Sequence, residues 1–155
     1  LKAAEQGWFS AQYIVGEFYS HGYGGIKVNN AEALKWYYKA AEQGVAEAQF
    51  ILGLDYKRGE GGVKKDFAKG VEWYRKAAEQ GHMYALYNLA VSYEYGEGVP
   101  KDKETAIKLY QKAAEQGCTD AEKDVKRLEG GGLGSAVAAS AALGGAALLW
   151  KILRG

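Results

Sequence analysis

Small and aromatic side chains recur along this chain with the period of a helix face. Tyr13, Gly16 and Tyr19 fall three residues apart, as do Phe50, Gly53 and Tyr56, and again Tyr87, Ala90 and Tyr93. That spacing places each set near one side of a helix. An Ala stands eight residues before each closing Tyr, at 11, 48 and 85. A Gly-rich turn follows, and beyond it the pairs Trp36-Tyr37, Trp73-Tyr74 and Leu109-Tyr110 mark a second helix. Small residues at 16, 53 and 90 predict that a neighbouring helix approaches closely there. The string Lys-Ala-Ala-Glu-Gln-Gly then occurs four times, from Lys2, Lys39, Lys76 and Lys112, at spacings of 37, 37 and 36 residues. Identical hexamers at constant spacing are the signature of a repeat array. The expected fold is all-α, built of helix-turn-helix units.

Local signals set the limits of each unit. First helices run roughly from Ala11, Ala48 or Ala85 to the glycines. Second helices start after Asn29 or Asn30, Asp66 and Asp102, whose side chains can accept from exposed backbone amides; Asn29 with Glu32 fits a capping box. They stop at Gly44, Gly81 and Gly117, where glycine closes a helix with positive φ. Pro100 falls in a turn, where it is harmless. Residues 1–7 read as the end of a preceding repeat, 8–44, 45–81 and 82–117 as three repeats, and 118–129 as a capping helix.

These motifs resemble the Sel-1-like repeat family, a branch of the tetratricopeptide-like α-solenoids. The resemblance rests on Ala-x-x-x-Leu-Gly-x-x-Tyr, Gly-x-Gly-Val-x-x-Asp and Ala-x-x-Trp-Tyr-x-Lys-Ala-Ala-Glu-Gln-Gly, and covers residues 1–129. The unit at 45–81 carries nearly all of it: Ala48, Leu52, Gly53, Tyr56, Gly59, Gly61, Val63, Asp66, Trp73, Tyr74 and the hexamer. Departures are Ile26 and Asn30 in the first unit, and Ala90 and Leu109 in the third. Gly25 and Gly62 read as one-residue turn insertions. The resemblance implies a right-handed α-solenoid that scaffolds protein–protein assemblies, often at membranes, with its first helices lining the concave surface. Tyr19, Tyr56, Tyr93, Trp36 and Trp73 then belong to the packing seam. A partner-binding groove is expected where the repeats differ on the first helices: Ile14, Phe18 and His21; Ile51, Asp55 and Arg58; Asn88, Ser92 and Tyr95.

Charge separates the chain into two parts. Its 155 residues hold 20 basic and 19 acidic side chains, a net charge of +1. That balance gives no basic excess for nucleic acid. All the acids and 18 of the bases lie in residues 1–129, whereas 14 of the last 26 residues are Gly or Ala. One cysteine, Cys118, excludes an internal disulfide and a Cys-rich zinc site.

Catalytic and cofactor signals are weak. Gly59-Glu60-Gly61-Gly62-Val63-Lys64 lacks the Gly-Lys-Ser/Thr ending and preceding strand of a phosphate-binding loop, and it recurs in weaker form at each repeat turn. His21 and His82 have no spaced ligand partners, and no local motif supports a Ser/His/Asp triad. The expectation is a non-enzyme with neither metal nor cofactor.

The tail carries a separate expectation. From Leu133 to Trp150 there are 18 residues without a charge, and a helix over 133–153 would span about 31 Å, close to a hydrocarbon core. Read as a C-terminal apolar, transmembrane helix (133–155) beyond a glycine hinge at 130–132, it offers Ala136, Ser140 and Gly144 for helix packing. Trp150, Lys151 and Arg154 suit the interface. The span contains no His, Asn, Gln or acid to ligate a pigment metal. This predicts a single-pass membrane protein with its repeats in an aqueous compartment, a scaffold or accessory subunit among integral membrane partners. The alternatives are a soluble peptide-binding adaptor whose tail packs on protein, and an appended segment, since Gly-Gly-Gly-Leu-Gly-Ser resembles a linker.

Overall fold

The computed structural model of the chain describes residues 9–130, all of them helix, turn or loop. Seven α-helices follow in order: α1 (Phe9–His21), α2 (Asn30–Glu42), α3 (Ala46–Arg58), α4 (Phe67–Glu79), α5 (Met83–Tyr95), α6 (Lys103–Glu115) and α7 (Thr119–Leu128). The first helices begin about two residues ahead of the alanines that mark them in the sequence. The expectations for residues 1–7, for the glycines 131 and 132, and for the apolar helix at 133–155 lie outside the described residues. So do Ala136, Ser140, Gly144, Trp150, Lys151 and Arg154.

Caps explain the second helices. Asn29, Asp66 and Asp102 each accept, at 3.1 Å, the backbone N–H three residues on, from Glu32, Lys69 and Thr105. Each capping residue also donates its own N–H to the carbonyl of the Tyr that closes the preceding first helix: Asn29 to Tyr19, Asp66 to Tyr56 and Asp102 to Tyr93, all at 2.8 Å. That bond displaces the reciprocal half of the expected capping box. With the Asn29 N–H committed to Tyr19, the Glu32 carboxylate pairs with Lys35 at 2.9 Å instead.

The hexamer acquires a physical meaning residue by residue. Its first alanine is buried in each described copy: Ala40, Ala77 and Ala113 expose nothing. Its glycines, Gly44, Gly81 and Gly117, take φ of 95°, 80° and 97°. Val45, His82 and Cys118 then donate their N–H groups five residues back, to Ala40, Ala77 and Ala113, which closes each C-terminus in a Schellman-type turn. Gln80 donates to the Gly44 carbonyl and to Gln49, and Gln49 donates to the Ala41 carbonyl. A glutamine of one repeat thus satisfies the helix end of the repeat before it.

The chain divides into two compact units after Ala85. In the first, α1 packs on α2, α2 on α3 and α3 on α4. The small residues work as expected: a Cβ on Gly16 would stand 2.6 Å from the Tyr37 ring, and one on Gly53 2.5 Å from the Tyr74 ring. The expected seam residues Trp36 and Tyr56 are buried. Trp73 packs against the core cluster of Tyr37, Leu52 and their neighbours, and Tyr38 meets it edge-on at 5.8 Å.

In the second unit α6 packs on α7, burying Ala121 and Val125 of the last helix. A polar chain runs through it. Buried Glu94 accepts the Tyr110 hydroxyl at 2.7 Å and pairs with Arg127 at 2.8 Å. Arg127 also holds Asp124, which accepts from the Tyr87 hydroxyl at 3.0 Å. Burial first, then the Asp124 bond, push the Tyr87 hydroxyl up to about 12.

Candidate functional site

In the first unit the turn of α1, the start of α2, the end of α3 and the turn after it enclose a cleft of about 550 Å³. The repeat geometry builds it. Tyr37 is drawn in by the missing side chain of Gly16, and its hydroxyl donates to Glu17 at 2.5 Å while lying 3.0 Å from the Ser20 hydroxyl. Burial and the Glu17 bond hold that phenol well above its ordinary pKa. Leu34 and Ile51 give the lining its apolar part, and Asp55, Glu60 and Gly61 line it as well.

Three of the nine expected groove residues, His21, Ile51 and Asp55, meet in this cleft. The His21 Nδ1 lies 2.7 Å from the Ser20 hydroxyl and 3.8 Å from the Glu17 carboxylate, and its ring stacks on Tyr23 at 5.2 Å. Ile14 and Phe18 stand exposed on α1, at 48% and 39%, and Phe18 meets Tyr23 edge-on. Arg58 is exposed and reaches Glu60 at 3.8 Å. In the second unit Tyr95 is exposed, and Asn88 is half-buried. Ser92 is not on offer at all: it is 2% exposed, with its hydroxyl bonded to the Asn88 carbonyl.

Asp55 has the most unusual environment. Burial, followed by the nearby Glu60 charge, raises its carboxyl to about 6, against a smaller lowering by Arg58. Sequence reasoning found this residue but missed Glu17, Ser20, Tyr37 and Glu60, which complete the cleft. Glu17 and His21, four apart on α1, were the legible hint.

No group of His, Cys, Asp and Glu among the described residues is arranged to hold a metal ion. No helix among them is long and apolar enough to cross a membrane.

The sequence matches the Sel1 repeat family at residues 9–45, 46–82 and 84–118. The chain belongs to the Sel1 repeat family. Its relatives of known structure agree. A Sel1 repeat protein from Oxalobacter formigenes is 40% identical, with a TM-score of 0.77 over 81% of this chain and 93% of that one. A protective antigen of uropathogenic Escherichia coli strains, c5321, which displays the SLR fold, is 41% identical with a TM-score of 0.79. That match covers 85% of this chain but 28% of the antigen. The cysteine-rich protein B of Helicobacter pylori is 27% identical, with a TM-score of 0.62 over 77% and 90%. Among curated proteins none matches. Sel1 repeats generally mediate protein–protein interaction, and Sel1 scaffolds are typically non-catalytic.

Proposed function

We propose that this Sel1 chain is an adaptor that docks a peptide segment of a partner protein on the α1–α3 face of its first unit. The observation that carries the reading is the exposed pair Ile14 and Phe18, two turns and one turn along α1 from His21 in a cleft that Ile51 and Asp55 also line. Large apolar side chains left in water beside a concave polar site favour a partner that covers them. Membrane attachment through residues 133–153 rests on the composition of that stretch alone, and the family and its relatives favour the adaptor.

The test is selection of a random peptide display library on the full chain. An enriched sequence family whose binding falls in Phe18→Ala, with helical circular dichroism unchanged, supports the adaptor. No enriched family, or binding indifferent to Phe18→Ala, overturns docking on this face. Tyr95→Ala tests the second unit's expected contribution in the same way.

A further inference from the structure

We infer that the cleft receives the cationic side chain of the docked segment, a Lys or Arg adjacent to an apolar anchor; this rests on the peptide-docking reading above. Three carboxylates line the cleft, Glu17 from α1, Asp55 from α3 and Glu60 from the turn, and no lysine or arginine lines it. The basic group that lines it is the His21 imidazole, 3.8 Å from Glu17. Glu17 accepts a hydrogen bond from the uncharged Tyr37. Arg58 meets Glu60 at 3.8 Å with both side chains more than half exposed, a pairing that water and salt weaken. Asp55 lies against the turn, in space that Gly61 leaves open for lack of a Cβ.

That carboxylate is held half-buried at an electrostatic cost, as its raised proton affinity shows. An incoming cation offsets the cost, whereas an acidic segment adds to it. The apolar part of the lining, Leu34 and Ile51, suits the aliphatic stem of a Lys or Arg, whose head then reaches the carboxylates. Its apolar neighbour in the segment would lie on Phe18, which touches the cleft's rim through the Tyr23 and His21 rings.

The selected peptides read this chemistry directly. The expected result is enrichment of Lys or Arg beside a bulky apolar residue. A synthetic peptide of the selected sequence should then bind Asp55→Asn about tenfold more weakly than the unaltered chain, by fluorescence anisotropy, and weaken further with added salt. Enriched peptides without a basic residue, still sensitive to Phe18→Ala, would overturn charge recognition and leave docking intact. Basic peptides that bind Asp55→Asn and Glu60→Gln as tightly as the unaltered chain would overturn the cleft as the place of recognition. No enrichment would overturn both readings. Glu60 is exposed, so Glu60→Gln decides the matter should Asp55→Asn fail to fold.

Discussion

The Tyr110 hydroxyl donates to the buried Glu94 carboxylate at 2.7 Å, and Arg127 reaches the other oxygen of the same carboxylate at 2.8 Å. One acid on α5 thereby ties down α6 and α7. Burial and then the Glu94 bond raise the Tyr110 hydroxyl far beyond its ordinary range, so it remains a donor at any pH the fold meets. Tyr110→Phe removes that donor from a buried carboxylate without opening a cavity. We expect it to cost about 1–3 kcal/mol in urea denaturation. Tyr87→Phe, at the half-buried end of the same chain of bonds, should cost less. Equal losses would mean that the Glu94 environment is not as dry as its geometry indicates.

Gly53 is the tightest crossing in the first unit. Its absent Cβ would lie 2.5 Å from the Tyr74 ring and 3.2 Å from the Gly70 carbonyl, where α3 meets α4. Backbone on one side and a fully buried ring on the other leave little room to relax. Gly53→Ala should therefore destabilise by about 1–3 kcal/mol through overpacking, read as a lower urea midpoint at unchanged slope. The third repeat already carries Ala90 at the matching position, so the crossing there has been built around a methyl group. Gly53→Ala without loss would show that the Tyr74 ring can swing aside.

The repeats were legible because each of their devices is local. A cap at Asn29, Asp66 or Asp102 and a glycine at 44, 81 or 117 declare themselves within a few residues, and repetition confirms them. The inserted turn glycines were equally plain: Gly25 and Gly62 take φ of 79° and 93° with nothing near them, so they lengthen a turn and do little else. The cleft was less legible because its walls come from four separate segments. Spacing along α1 identified His21, but nothing local announces that Tyr37 would hold Glu17 beside it. Ser92 shows the converse error. It shares a helical face with Tyr95 in the sequence pattern, yet a short hydroxyl can bond its own backbone and turn away from solvent, as it does here.

His82 does work that its counterparts cannot. It precedes α5 as Val45 precedes α3 and Cys118 precedes α7, and neither of those side chains caps its helix. The His82 Nδ1 accepts the Ala85 N–H at 3.2 Å, and its Nε2 lies 3.0 Å from the Glu47 carboxylate. The ring also stacks on Phe50 at 4.8 Å. An accepting Nδ1 leaves the proton on Nε2, the nitrogen that faces Glu47. His82→Ala loses the cap, the Nε2–H donor to Glu47 and the ring together and should cost about 2 kcal/mol. His82→Asn restores the cap alone and should recover part of that loss in thermal denaturation. No difference between the two would assign the residue's contribution to the Phe50 stack and the Glu47 contact, and not to the cap.

Asp55 works against stability at neutral pH. Its carboxyl titrates near 6 in the folded chain against an ordinary value of 3.8, so between those values the folded state holds a proton that the unfolded state has released. Stability must then fall as pH rises through that window, and the deficit persists above it. The groups facing this carboxylate are Glu60 and Arg58 beside it, Glu17 and His21 across the cleft, and Tyr37 and Tyr38 from α2. None of them is a well-placed cation, so the deficit has no internal remedy. Asp55→Asn should raise the melting temperature near neutral pH and lose that advantage below pH 3.8, where the native carboxyl is protonated in both states. The same variant should bind the basic peptide poorly, the trade expected of a residue kept for a partner and not for the fold. A melting temperature that does not change at neutral pH would mean that solvent reaches Asp55 freely, and would remove the electrostatic reason for a cation to enter the cleft.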